Sequence, residues 1–137
     1  MPVVTRWMLR SAFVCMLAGI TLGALMLLQK AYPINPAIWA LLPLHIELLT
    51  IGWIVQFTMG TAYWILPRYL GKSKRGKKYL AYLMVFMLNG GLGIVLVGRL
   101  LSDTCPINIT ALGRLLELAS VLLFIALHWK RVVTYNK

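Results

Sequence analysis

The chain has 137 residues, of which 61% are hydrophobic and only 12% are charged. A soluble domain carries about one quarter charged residues, so the composition excludes a water-soluble fold and predicts an integral membrane protein. The 14 Lys and Arg residues against 3 Asp and Glu residues give a net charge of +11. Too few polar positions remain to build a basic, soluble face, so we do not expect nucleic acid as a partner.

Four apolar segments are long enough to cross a bilayer, for which a helix needs about 20 residues. The first follows Arg6 and Arg10 as a signal peptide would, but no small-x-small cleavage site comes after it, so we interpret it as a retained helix. The second begins after Asn35-Pro36, a pair that favours a capped helix start. The sequence predicts an all-α membrane protein with a single transmembrane domain over residues 1–137. Its four-helix transmembrane bundle has predicted spans at residues 11–29, 38–66, 79–101 and 111–129.

Positive charge is concentrated on one side of the predicted bundle. Six cations lie between the second and third spans, namely Arg68, Lys72, Lys74, Arg75, Lys77 and Lys78. The positive-inside rule makes this loop cytoplasmic, and four alternating spans then place both termini in the cytoplasm. All three acids, Glu47, Asp103 and Glu117, fall on the outer half. The charge therefore indicates topology, and we expect a bacterial or archaeal inner membrane.

Five ionisable side chains on three spans are predicted to share one layer in the outer half of the membrane. At about 1.5 Å per residue, His45, Glu47, Arg114 and Glu117 lie roughly 10 Å from the outer ends of their helices, and Arg99 lies nearer its end. Ionisable residues within a span are functional-site hypotheses by default. Arg114 and Glu117 are three residues apart and can pair on one helix face. Alternatively, Arg99 or Arg114 neutralises an anionic ligand group such as a haem propionate.

His45 is the strongest candidate for a ligand-binding residue. At about 100° per residue, four later positions of the second span return to its face: Gly52, Gln56, Met59 and Tyr63. A histidine followed two turns later by a glycine suits a flat macrocycle, because the imidazole reaches the iron and the glycine makes room for the ring edge. The alternative is an intramembrane histidine that is hydrogen-bonded to a neighbouring helix. The predicted cofactor site comprises His45, Gly52, Gln56, Arg99 and Arg114.

The second axial ligand is not found within the predicted span arrangement. His128 lies at the opposite end of its helix, roughly 15 to 20 Å from His45 along the membrane normal, and is typical of an interfacial histidine. Met59 is on the same helix as His45 and about 20 Å away. A homodimer or another subunit could supply the ligand. The spacing of Gly19 and Gly23 fits either such a dimer or ordinary packing within the chain.

The segment His45-Ile-Glu-Leu-Leu-Thr-Ile-Gly-Trp53, followed by Gly60-Thr-Ala-Tyr63-Trp-Ile-Leu-Pro67-Arg68 and Gly71, resembles a known helix. It is similar to the second helix of the haem-copper oxidase catalytic subunit superfamily, in the branch that includes cbb3-type oxidases and nitric oxide reductases. The resemblance implies that His45 is the axial ligand of a low-spin haem. It also implies structural roles for Gly52, Gly60, Pro67 and Gly71.

Catalytic subunits of that superfamily have many more spans and several more histidines than this sequence. The resemblance therefore implies a cytochrome b that carries electrons through haem b in a respiratory or photosynthetic chain, without oxygen-reducing chemistry. A cofactor-free accessory or assembly subunit is the alternative. Quinone near His45 and Glu47 is a third interpretation, because quinol oxidation needs a proton acceptor. The expected partners are membrane lipid and either a second copy of the chain or a larger membrane complex.

Overall fold

The computed structural model describes residues 1–67, 77–101 and 107–133, and the regular structure in these ranges is helical throughout. Each of its four long helices is long and apolar enough to cross a membrane, which confirms the predicted all-α membrane fold. The cations from Arg68 to Arg75, together with Gly71, Asp103 and Lys137, lie outside the described residues. The sidedness of the termini stays a prediction. The helices are α1 (Val3–Ala31), α2 (Pro36–Ile65), α3 (Lys78–Leu100) and α4 (Ile107–Val133).

Two helices extend beyond the spans that hydropathy predicts. α1 begins at Val3, well before residue 11, and α4 extends past residues 111 and 129 at both ends. Apolar composition marks the part of a helix that lies in hydrocarbon, whereas the helix continues for as long as its backbone hydrogen bonds are made. After α1, the Gln29 side-chain oxygen accepts from the backbone N–H groups of Ile34 and Asn35, both at 2.9 Å. These bonds hold the turn that leads into α2.

The second helix changes its winding along its length. Asn35 accepts a hydrogen bond from the Ala37 N–H at 3.0 Å, which confirms the predicted cap. A 3₁₀ turn over Pro36–Leu41 leads into α-helix at Leu42–Glu47, then into π-helix at Leu48–Val55, and α-helix resumes at Gln56–Ile65. π-helical turns are rare in proteins, and those that do occur are often found at functional sites. The turns of a π-helix are wider than those of an α-helix. Residues before and after this segment therefore do not have the relative angular positions around the helix axis that a continuous α-helix would give them.

The bundle consists of two helical hairpins, with α1 packed along α2 and α3 packed along α4. Side chains from α1, α2 and α3 form the larger buried core, which contains Val4, Met8, Met59, Tyr63, Ala81, Met84, Val85 and Leu88. A smaller core of Cys15, Leu48 and Leu92 lies nearer His45. His45 and Tyr63 lie toward opposite ends of α2 and mark the His45 end and the Tyr63 end of the bundle. Polar contacts cross between the two hairpins at both ends and in the middle.

Candidate functional site

His45 of α2 is turned toward α1. Its Nδ1 lies 2.8 Å from the backbone carbonyl oxygen of Gly19. Because a carbonyl oxygen can only accept, Nδ1 must carry the proton and donate, which leaves the lone pair on Nε2. This is the interhelical hydrogen bond that the alternative interpretation predicts. It is also the bond that metal-ligating histidines usually make with their second ring nitrogen, so the tautomer fits an axial haem ligand.

Glycine is what allows the imidazole to lie this close to α1. A Cβ added at Gly23 would lie 2.8 Å from Cε1 of His45 and 3.7 Å from its Nε2. One turn earlier, a Cβ at Gly19 would lie 2.5 Å from Cδ2 of Leu49. The Gly19 and Gly23 pair therefore packs within the chain, as one of the two interpretations of this spacing predicts. Gly23 leaves a recess on α1 that receives the His45 ring, and Gly19 makes room for Leu49.

Gly52 adjoins side chains of other helices, although the sequence places it on the same face of α2 as His45. A Cβ at Gly52 would lie 2.8 Å from Cβ of Cys15 and 3.1 Å from Cδ2 of Leu92. The space beside Gly52 is thus filled by side chains of α1 and α3, and the glycine permits three helices to approach one another. Its predicted role of leaving room for a ring edge stays a prediction, and that role would require Cys15 and Leu92 to move.

Arg114 of α4 joins the two hairpins at the His45 end by binding Glu47 of α2. Two contacts link the side chains, Nη2 to Oε2 at 2.5 Å and Nη1 to Oε1 at 2.7 Å. The predicted pair with Glu117 is also present, with Nη1 to Oε2 at 3.4 Å. The Glu47 side chain is only 5% exposed whereas that of Arg114 is 45% exposed. The quinone site near His45 and Glu47 stays a prediction. The Glu47 carboxyl group at that place already forms an ion pair with Arg114.

Gln56 belongs to a separate polar cluster in the middle of the bundle. Its Nε2 donates to Oδ1 of Asn89 on α3 at 3.0 Å, and Oγ of Ser11 on α1 donates to the same oxygen at 2.6 Å. Gln56 is fully buried. It lies about 16 Å of helix beyond His45, so the structure does not bring these two predicted site residues together.

The remaining predicted residues lie toward the ends of the bundle. Arg99 is exposed in the last turn of α3, at the His45 end. His128 lies at the Tyr63 end, where its ring packs edge-on against Tyr63 with 5.4 Å between centroids and its Nδ1 contacts the Phe124 carbonyl at 2.7 Å. Next to it, Arg131 donates from Nε to the Pro67 carbonyl at 2.8 Å. His45 and His128 are therefore at opposite ends of the bundle.

The donor set suits a haem iron. Among the described residues, no three His, Cys, Asp or Glu side chains come together as they do around a protein-bound metal ion. A haem needs only axial ligands from the protein, because the porphyrin supplies the ligands in its plane. A single imidazole with a free Nε2 lone pair is sufficient for one axial position.

Comparison with known proteins covers nearly the whole chain. The family model described as Cytochrome C and Quinol oxidase polypeptide I matches residues 3–135. The match extends over all four helices and not over α2 alone, and it confirms the resemblance read from residues 45–71. No curated protein and no solved structure matches the chain.

Proposed function

Because the chain belongs to the Cytochrome C and Quinol oxidase polypeptide I family, we propose that it is a membrane cytochrome that carries electrons through a b-type haem ligated by His45. The chain is a membrane protein related to the haem-copper oxidases, a family that generally binds haem. The observation that carries the proposal is the 2.8 Å contact from His45 Nδ1 to the Gly19 carbonyl. This contact leaves the lone pair of Nε2 available to ligate a metal.

In this proposal the haem supplies reversible one-electron redox chemistry, and the chain orients it. His45 contributes Nε2, and the Gly19 carbonyl fixes the orientation of the ring and raises the basicity of Nε2. Gly23 keeps the neighbouring surface of α1 free of a side chain. Of the two arginines predicted to neutralise a propionate, Arg99 is exposed, whereas Arg114 already binds Glu47. We assign the propionate role to Arg99.

A second protein ligand for the haem iron would have to come from outside this arrangement of helices. His128 is held at the Tyr63 end of the bundle, too far along the membrane normal to share an iron with His45. We propose that a second copy of the chain or another subunit of a membrane complex supplies the ligand. The predicted setting is a respiratory or photosynthetic electron-transfer chain in a bacterial or archaeal inner membrane, with cytoplasmic termini.

The absorption spectrum of the purified protein tests the proposal. We expect a Soret band that sharpens on reduction, and a pyridine haemochrome of the b type. His45→Ala should remove the band, whereas the matched variant His128→Ala should retain it. A colourless wild-type protein from a haem-supplied host, or a Soret band that survives His45→Ala, contradicts the proposal.

A cofactor-free accessory or assembly subunit is the second candidate function. The observation that favours it is the number of polar contacts that already join the helices without any ligand, above all the ion pair between Glu47 and Arg114. This function predicts a colourless protein in which Glu47→Gln impairs assembly into a larger complex. It also predicts that His45→Ala leaves that assembly intact, which separates it from the cytochrome.

A further inference from the structure

A crevice of about 380 Å³ lies between α1 and α3, toward the Tyr63 end of the bundle. The two helices belong to different hairpins and pack less closely than the helices within each hairpin. Both apolar and polar side chains line this α1–α3 crevice, namely Trp7, Val85 and Phe86 together with Arg10, Ser11 and Asn89. Its volume falls in the range of about 300 to 1,000 Å³ that is usual for ligand sites.

The walls of the α1–α3 crevice suit a ligand with an apolar body and oxygen acceptors. Trp7 and Phe86 meet edge-on from the two helices, with 6.2 Å between ring centroids, and each is half exposed or more. Asn89 donates from Nδ2 to the Val85 carbonyl at 2.9 Å, and its Oδ1 accepts from Ser11 at 2.6 Å. An amide carries two N–H donors, and no described residue accepts from the second. That donor is therefore available to an oxygen atom in the crevice.

Arg10 is an exposed cation that forms no ion pair within the described part of the chain. α1 has 29 residues and is therefore about 43 Å long, which matches the thickness of a bilayer with its headgroups. Arg10 lies roughly 10 Å from the start of this helix, where the headgroup region gives way to hydrocarbon. A charge at that depth is costly unless it reaches the interface or pairs with an anion.

The charge of the Tyr63 end favours a negatively charged ligand. Arg6, Lys77 and Lys78 are also exposed there, near the starts of α1 and α3. Both acids of the described ranges lie at the His45 end, where they bind Arg114, so neither offsets the cations beside the crevice. The Tyr63 end is also the one that the positive-inside rule predicts to face the cytoplasm, and anionic lipids give cytoplasmic leaflets a negative surface potential.

We propose that the α1–α3 crevice binds one anionic phospholipid. The phosphate group binds the Arg10 guanidinium, which can donate to two of its oxygens at once. Side chains tilt toward the N-terminus of a helix, so Arg10 reaches toward the headgroups, whereas Asn89 stays at the depth of its partner Ser11. An ester carbonyl below the phosphate then accepts from Nδ2 of Asn89, and the upper acyl chains pack against Trp7 and Phe86. A zwitterionic headgroup adds an ammonium group that the neighbouring cations repel, so the site selects lipids with a net negative charge.

Native mass spectrometry of the delipidated protein in detergent tests the proposal, and it needs no haem. Dioleoylphosphatidylglycerol is the anionic probe, and dioleoylphosphatidylcholine, which has the same acyl chains, is the zwitterionic control. We expect one phosphatidylglycerol per chain to bind saturably, and phosphatidylcholine to bind at least about fivefold more weakly. Excess inorganic phosphate should not displace the lipid. Equal binding of the two lipids, or displacement by inorganic phosphate, overturns the proposal.

Variants then test the role of Arg10. Arg10→Gln should weaken phosphatidylglycerol binding by about fivefold, because one cation near an anionic headgroup contributes about that factor. The matched control Lys30→Gln removes an exposed cation from the other end of the same helix and should leave binding unchanged. Both side chains are exposed, so neither change disturbs the packed core. Equal weakening in the two variants would show a response to net charge alone and would contradict the site.

A photoreactive phosphatidylglycerol locates the bound lipid independently of affinity. With the reactive group near the ester linkage, we expect labelled peptides from α1 around residues 7–11 and from α3 around residues 85–89. Labelling that is confined to α2 and α4 contradicts the proposed crevice.

Discussion

Glycine has different roles at the helix contacts of the two hairpins. Between α3 and α4, a Cβ at Gly91 would lie 2.7 Å from the carbonyl oxygen of Gly113, and a Cβ at Gly113 would lie 2.8 Å from the carbonyl oxygen of Gly91. Backbone meets backbone at this crossing, as small residues allow in membrane helix pairs. This contact fixes the spacing of the two helices, and the side chains of Val95 and Glu117 pack beside it.

Between α1 and α2, the glycines face side chains. Gly19 adjoins Leu49 and Gly23 adjoins the imidazole of His45. The same spacing of small residues that brings helix backbones together elsewhere here leaves a recess for a ring that can ligate a metal. A small-residue motif in a membrane helix must therefore be judged by what it faces. Of these two contacts, the one between α1 and α2 holds the candidate ligand His45.

The largest effect is expected where backbone meets backbone. Gly91→Ala places a Cβ against the Gly113 carbonyl, which cannot move without separating α3 from α4. We expect a loss of stability of about 1 to 3 kcal/mol, as for overpacked cores, measured by thermal unfolding in detergent. The matched control is Gly90→Ala on the same helix, where a Cβ would meet nothing within 4 Å. Equal losses in the two variants would refute the backbone contact.

A smaller loss of stability and a clear spectroscopic change are expected at Gly23. Gly23→Ala places a Cβ 2.8 Å from Cε1 of His45, and the ring must tilt because it is the group that can move. We expect a loss of stability of about 1 kcal/mol, at the low end for overpacked cores, together with a shifted Soret band. The comparison is Gly19→Ala, where the flexible end of Leu49 is displaced instead. If both variants shift the band equally, the recess at Gly23 does not orient the imidazole.

The smallest effect is expected for one hydrogen bond between α4 and α3. Ser120 is fully buried, and its Oγ donates to the Met84 carbonyl at 2.8 Å. Ser120→Ala should lower stability by about 0.6 kcal/mol, the average for such bonds in a membrane protein. The control is Thr21→Ala, whose exposed hydroxyl donates to a carbonyl of its own helix, that of Leu17. A larger loss for Thr21→Ala would show that the bond between helices adds nothing.

Local patterns in the sequence predicted the elements of this fold correctly. Hydropathy predicted four spans, Asn35 and Pro36 predicted the start of α2, and the spacing of Arg114 and Glu117 predicted their contact. Each of these depends on residues that are close in sequence. Gly52, Gln56, Met59 and Tyr63, which the sequence places on the same helix face as His45, are all buried. They contact different helices, however.

The contacts that define the site depend on packing and could not be predicted from spacing. Glu47 and Arg114 are 67 residues apart, and nothing in either segment specifies the other. The π-helical segment Leu48–Val55 is uniformly apolar apart from Thr50, and it carries no local signal of wider turns. Extrapolation at α-helical pitch across it therefore misplaces Gly52 relative to the His45 ring. The spacing of Gly19 and Gly23 likewise fits either a dimer contact or packing within the chain. Only the observed packing of α1 against α2 distinguishes the two.

Chemical rescue can test the proposed ligation of a haem iron by Nε2 of His45. In His45→Gly the side chain is removed and its space is left for a small ligand. We expect this variant to lack the low-spin spectrum of the wild-type protein, and added imidazole to restore that spectrum in a saturable manner. A His45→Gly protein that shows the wild-type low-spin spectrum without imidazole would contradict ligation by His45.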